Sequence, residues 1–151
     1  MSGKIISCVI SCYNEEENLP TLLNQINSNQ LEKKIEFVIV NNGSTDNSWN
    51  IILENKKLFP EIKFINVKED LGWGNGIMEG LKHTNCKFVG WIHGDLQYDM
   101  KILFQVIEIL EKPQNQNQNI LIKGKRAKRK FSEDFFTLTM GILASILLRK
   151  I

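Results

Sequence analysis

Four short runs rich in Ile, Val and Phe recur at similar intervals, at residues 5–11, 35–40, 62–67 and 87–92. Each has the length of a strand and reads as continuously apolar rather than one-faced. Between the runs, apolar residues fall at helical spacing: Leu19, Leu22, Leu23 and Ile26; then Trp49, Ile51, Ile52 and Leu53; then Ile77, Met78 and Leu81. Strands apolar on both sides must be covered on both sides, so the order βαβαβαβ predicts a mainly parallel α/β sheet flanked by helices, with right-handed crossovers.

The remaining composition narrows the class. A chain of 151 residues with 42% hydrophobic and 24% charged residues is neither disordered nor collagen-like, and can bury a core without disulfide or metal staples. Cys8, Cys12 and Cys86 lack zinc or redox spacing and read as small buried thiols. The N-terminal apolar run is broken by Tyr13, Asn14 and Glu15 before it can form a secretory signal, so the expected location is cytoplasmic. Charge is divided unevenly. Residues 125–151 carry seven basic and two acidic residues, about +5, whereas residues 1–124 carry twelve and fifteen, about −3. A basic end on an acidic body suits an anionic partner: phosphate, a membrane surface or nucleic acid.

Local signals mark the element ends. Asn14 followed by Glu17 predicts a capping box, and Ser44 or Asp46 predicts the cap of the second helix. A fourth helix is expected over 99–111, a polar loop over 113–119 and a short strand over 120–122. Residues 135–148 are apolar almost throughout, between Lys128, Arg129 and Lys130 on one side and Arg149 and Lys150 on the other. About 14 residues fall short of the roughly 20 that span a bilayer. Three readings stand for this segment: a core helix, an interfacial helix on anionic lipid, and the start of a longer membrane segment. The absence of a C-cap or polar tail at Ile151 reads as truncation.

In an open parallel sheet, ligands bind beyond the carboxyl ends of the strands. Those positions are polar here: Ser11-Cys12-Tyr13-Asn14-Glu15, Asn41-Asn42-Gly43-Ser44-Thr45-Asp46, and His93-Gly94-Asp95-Leu96-Gln97. The second segment reads either as a capped strand-to-helix turn or as a site where Asn41 offers its amide to a nucleobase edge. His93, Asp95 and Gln97 alternate, so an extended backbone would point them to one side, where they could hold a divalent cation against a diphosphate. Gly72-Trp73-Gly74-Asn75-Gly76 does not have dinucleotide-loop spacing; its glycines suit close approach of the backbone to a ligand or to a neighbouring helix. His83, alone near a helix end, reads as a surface residue.

Taken together, Ser-Cys-Tyr-Asn-Glu (11–15), Val-Asn-Asn-Gly-Ser-Thr-Asp (40–46), His-Gly-Asp-Leu-Gln (93–97) and Lys-Gly-Lys-Arg (123–126) occur in order and at fitting distances. The chain resembles family 2 glycosyltransferases of the GT-A fold, nearest the branch similar to dolichol-phosphate mannose synthase and bacterial polyprenyl-phosphate glycosyltransferases. The resemblance implies a GT-A-like domain over 1–126 and a basic, apolar C-terminal helix over 127–151. It also implies a nucleotide-sugar site at Ser11, Tyr13, Glu15, Ile39, Asn41, His93, Gly94, Asp95 and Arg126. Within that site, Ile39 and Asn41 match residues that meet base and ribose, and Arg126 matches a residue on the donor phosphates. Asp95 and Gln97, with His93 as a third candidate, match ligands of Mg²⁺ or Mn²⁺, and Asp95 is the residue expected to be essential.

The chain departs from the family where Asn41-Asn42 replaces Asp-Asp and where His93 replaces Asp. The first change keeps a group able to hydrogen-bond a base. The second removes a negative charge from a Mg²⁺ or Mn²⁺ site and favours a softer metal. The resemblance implies sugar transfer with inversion from a UDP- or GDP-sugar to a polyprenyl phosphate or other glycan acceptor, at the cytoplasmic face of a membrane, with no nucleic-acid partner. The rival reading is a non-catalytic nucleotide-sugar-binding or partner-docking module.

Overall fold

The computed structural model describes residues 3–115 and 119–124. The chain divides at Asn119/Ile120 into two units, and the architecture here is that of the first. Its strands are β1 (Ile6–Cys12), β2 (Ile35–Asn42), β3 (Lys63–Val67) and β4 (Phe88–His93). They alternate with helices α1 (Leu19–Ser28), α2 (Ser48–Asn55), α3 (Trp73–Leu81) and α4 (Ile102–Glu111). The sheet order is β3-β2-β1-β4, and every pairing is parallel. The expected α/β class and the four strands are therefore present.

Side-chain alternation sorts the helices onto two faces. Cys8, Ile10 and Cys12 of β1 and Ile35, Phe37 and Ile39 of β2 pack with Leu22, Leu23 and Ile26 of α1, Ile52 of α2 and Leu103, Ile107 and Leu110 of α4. The intervening Val9, Val38 and Val40 form a second cluster with Leu81 of α3. Gly80 lets α3 lie close, because a Cβ there would come within 2.8 Å of Val40 Cγ2 and closer still to Val9. β1 and β2 are buried along their whole length, as two-sided cover requires. β4, paired with β1, half-buries alternate residues and leaves Val89 and Trp91 exposed.

Several local expectations are corrected. The first helix starts at Leu19, with Pro20 in its first turn, rather than being capped by Asn14. Asn14 has φ 54°, and its side chain is committed to the loop after β2. Of the two expected caps of α2, Asp46 accepts a hydrogen bond from the Ser48 amide, whereas Ser44 accepts one from the Asn14 amide. Cys8 and Cys12 are buried as expected, and burial pushes the Cys8 thiol up to about 12, but Cys86 is only half-buried. Residues 120–122 form no strand, and Leu121 and Ile122 are exposed. An apolar run becomes a strand only where a ladder accepts its backbone groups. No described helix is long and apolar enough to cross a membrane, and the 135–148 segment lies outside the described residues.

At the amino ends of the strands, Glu36 is buried and accepts hydrogen bonds from Ser7 Oγ, Lys63 Nζ and the backbone and side-chain amides of Asn85. Burial pushes its carboxyl up, but these donors together outweigh burial and bring it from 4.5 down to about 2. A carboxyl depressed in the folded state stabilises the fold above its unfolded value and loses that contribution as pH falls through its folded one. The urea midpoint should therefore fall between about pH 4.5 and about pH 2. Glu36→Gln should be less stable at pH 7 and lack this part of the acid decline. Identical acid profiles for the two proteins would refute the assignment.

Candidate functional site

The strand order places a switch point between β1 and β4, and register brings the polar carboxyl ends together there. Ser11 is level with His93 on one side and Val40 on the other, and Cys12 is level with Asn41, which is level with Asn66 of β3. Thus Ser11, Asn41 and His93 share one edge, and Tyr13, Glu15, Gly94 and Asp95 follow directly from it. Tyr13 is exposed, and Glu15 and Asp95 are half-buried. Ile39 lies lower, fully inside the core. Arg126 lies outside the described residues.

The loops after β1 and β2 are laced together by side chains. Asn14 Oδ1 accepts the Thr45 amide at 2.8 Å, and the Glu15 amide donates to Ser48 Oγ at 2.9 Å. The Glu16 amide donates to Asp46 Oδ2 at 3.0 Å, while Glu16 Oε2 accepts the Asn47 amide at 2.8 Å. These bonds satisfy backbone donors that would otherwise face solvent at the start of α2. Asp46 is held below the usual carboxylate range because bonds from Ser48 and the Glu16 amide outweigh the burial that pushes it up.

A second set of contacts binds the loop before α3. Asn42 Nδ2 donates to Asp70 Oδ1 at 2.9 Å, and the same oxygen accepts the Gly72 amide at 2.8 Å. Gly76 approaches so closely that a Cβ would lie 2.6 Å from Ser11 Oγ. The glycine thus makes room for a neighbouring strand, not for the neighbouring helix expected of the glycine-rich segment. Trp73, the first residue of α3, stacks on His93 with ring centroids 4.7 Å apart and planes 7° from parallel. The sequence reading missed Asn66, Asp70 and Trp73. Trp73 carries no motif, and its only signal is a large aromatic between glycines at a helix start.

The alternating placement expected for His93, Asp95 and Gln97 does not hold, because β4 ends at His93. Leu96 has φ 57°, and Asp95 Oδ1 accepts the Gln97 amide at 3.1 Å, so the backbone turns here instead of running extended. Gly94 is required by a close approach, since a Cβ would lie 2.7 Å from Cys12 Sγ. That thiol reports the local field: burial, then the charges of Glu15 and Asp95, push it up to about 12. Both carboxylates therefore lie near the carboxyl end of β1. Among the described residues, no three His, Cys, Asp or Glu side chains are grouped to hold a metal by themselves.

Comparisons with known proteins agree with this geometry. The chain is 34% identical over 107 residues to a poly-β-1,6-N-acetyl-D-glucosamine synthase of Staphylococcus epidermidis, covering 71% of this chain and 26% of that protein. It is 31% identical over 152 residues to a dolichyl-phosphate beta-glucosyltransferase of Trichomonas vaginalis, covering 91% and 46%. The chain thus spans between a quarter and a half of these relatives. Among solved structures, TarS of S. aureus with UDP-GlcNAc matches at 22% identity and a TM-score of 0.60, covering 71% of this chain and 31% of that one. A mannosyltransferase of Pyrobaculum calidifontis with GDP-Man and Mn²⁺ matches at 21% identity and 0.60, covering 72% and 32%. These structures share the GT-A-like α/β fold. The sequence model described as glycosyl transferase family 2 matches residues 7–142, which takes in β1 through β4 and every site segment at the sheet edge. With that span matched and its polar strand ends gathered at one switch point, the chain belongs to glycosyl transferase family 2.

Proposed function

We propose that this chain binds a nucleotide-sugar donor at the carboxyl edge of its sheet and serves transfer of the sugar, with inversion, to a polyprenyl phosphate. The observation that carries the reading is the convergence of Asn41, Glu15 and Asp95 from three separate strand ends. The named relatives support it from two sides: one is a dolichyl-phosphate glucosyltransferase, and two solved neighbours hold UDP-GlcNAc and GDP-Man. The polymer synthase among the relatives makes a glycan hydroxyl the competing acceptor.

Transfer breaks the bond between the anomeric carbon and the diphosphate oxygen, which leaves with the electron pair, while an acceptor oxygen bonds to the opposite face of that carbon. Charge builds on the leaving diphosphate. Asp95 would offer a hard carboxylate oxygen, and a cation held by one or two carboxylates together with substrate phosphates needs no all-protein cage. The donor set therefore fits Mg²⁺ or Mn²⁺, which when bound would offset the leaving-group charge. His93 gives its ring face to Trp73 and fits a wall of the site better than a third ligand. Arg126, by its motif position, is a further candidate for contact with donor phosphate through its guanidinium fork. A lipid phosphate is already ionised at neutral pH and needs little help from a base, whereas a sugar hydroxyl would need one. The basic residues 128–130 and the apolar run after them would hold the chain at a membrane's cytoplasmic face.

A thermal-shift screen of UDP-, GDP- and dTDP-sugars with and without Mn²⁺ tests the reading. At about a hundred times Kd, a donor should stabilise the fold by about 2.7 kcal/mol, which raises Tm by several degrees. No shift with any donor would overturn it. A shift without sugar transfer or hydrolysis would leave a donor-binding module.

A further inference from the structure

Asn42 closes β2, is 1% exposed, and has both side-chain polar atoms engaged with the segment that leads into α3. Its Nδ2 donates to Asp70 Oδ1 at 2.9 Å and to the Gly72 carbonyl at 3.4 Å, and its Oδ1 accepts the Leu71 amide at 3.4 Å. A carboxylate can only accept, so Asp70 leaves the Asn42 amide one orientation, and the Leu71 amide agrees with it. Further contacts carry this hold into the helix. Asp70 Oδ1 also accepts the Gly72 amide at 2.8 Å, and the Gly72 carbonyl accepts the Gly76 amide from the first turn of α3 at 3.0 Å. That turn rests on Asn42 itself, since a Cβ on Gly76 would stand 3.0 Å from Asn42 Cγ. Trp73 follows Gly72 directly and lies flat on His93.

We infer that Asn42 and Asp70 are a pair of positioning residues: the amide of one on the carboxylate of the other sets the start of α3 so that Trp73 meets His93 and walls the sheet-edge site. His93 stands two residues before Asp95, so the wall borders the carboxylate of the proposed donor site. The pair is specific in chemistry as well as shape. An aspartate at 42 would set a carboxylate oxygen against Asp70 Oδ1 and the Gly72 carbonyl, two acceptors with no hydrogen to share, and like charges at that distance repel. The amide at this departure from the family is therefore matched to a carboxylate 28 residues away. What the inference says of ligand binding rests on the proposed donor site; what it says of the wall does not.

Proton NMR of the unliganded full chain tests the wall, because two rings with centroids 4.7 Å apart give cross-relaxation peaks between their protons. Asn42→Asp should lose those peaks, and so should Asp70→Ala, a change at an exposed position outside the core. Asp70→Asn should keep them, since its Oδ1 can accept both donors. The double variant Asn42→Asp/Asp70→Asn should regain them, because the amide then donates from 70 to 42 while its oxygen still accepts the Gly72 amide. Calorimetric titration with UDP and Mn²⁺ should show binding about tenfold weaker in Asn42→Asp than in the unaltered chain, and recovery in the double variant. A merely structural role for Asn42 would leave the double variant no better than the single one. Peaks that survive in Asp70→Ala, or that fail to return in the double variant, overturn the positioning pair. UDP affinity that is the same with and without the ring contact overturns the part of the wall in binding. Failure of the unaltered chain to bind UDP overturns the donor site instead, and leaves the pair to stand on the ring contact.

Discussion

Asp95→Ala should abolish the donor-dependent rise in Tm and lower sugar transfer by at least about a hundredfold. The carboxylate stands two residues beyond the end of β4 at the switch point, and the Gln97 amide holds it in its turn. Its charge already bears on Cys12 together with that of Glu15, so a cation or diphosphate placed there would feel both. Asp95→Asn separates charge from geometry, because an asparagine oxygen can still accept the Gln97 amide and keep the turn. If the charge is what matters, the two variants should fail alike. The unliganded fold should change by less than about 1 kcal/mol, since Asp95 is only half-buried. Donor stabilisation of Asp95→Ala equal to that of the parent would sink the assignment.

The second large effect is on the fold. Gly43 has φ +73°, and a Cβ there would collide with Asp70 N and the Glu69 carbonyl carbon. Both are backbone atoms, so no side chain can swing aside. Gly43→Ala adds left-handed strain of about 1–2 kcal/mol to overpacking of about 1–3 kcal/mol, for a loss of about 2–5 kcal/mol by urea unfolding. Two other glycines calibrate it. Gly72 has φ +76° with nothing within 4 Å of a Cβ, so Gly72→Ala should show the strain without the clash. Gly74 has neither strain nor neighbours and lies inside α3, where Gly74→Ala should be neutral or stabilising. Equal losses at the three positions would contradict the order.

The sheet was legible because β1 and β2 are buried on both faces, and that demand shows as runs dominated by Ile, Val, Phe and small residues. The convergence of Ser11, Asn41 and Asp95 was legible for a related reason, since parallel topology puts every strand's carboxyl end on the same side. Other features were hidden by competition among equivalent local signals. Asn14 has the chemistry of a cap, but it spends its side chain on Thr45 thirty-one residues away. His93, Asp95 and Gln97 alternate in the sequence, yet an Asx turn at Asp95 is as local a choice as continued extension and it wins. The stack of Trp73 on His93 and the bond of Asn66 to Asn41 join residues from different βα units. No spacing rule within one segment announces such pairs. Residues 120–122 show the converse, an apolar run whose strand character depended on partners that its own sequence does not specify.

The lacing between the loops that follow β1 and β2 has a mechanical corollary. Because Asn14, Glu15 and Glu16 are tied to Thr45, Ser48, Asp46 and Asn47, the two loops form one jaw whose halves cannot drift independently. A substitution in one loop breaks a bond made to the backbone of the other and so loosens both. The same rigidity means that little freedom remains to be surrendered when a guest settles in, and affinity can come from a small number of direct contacts.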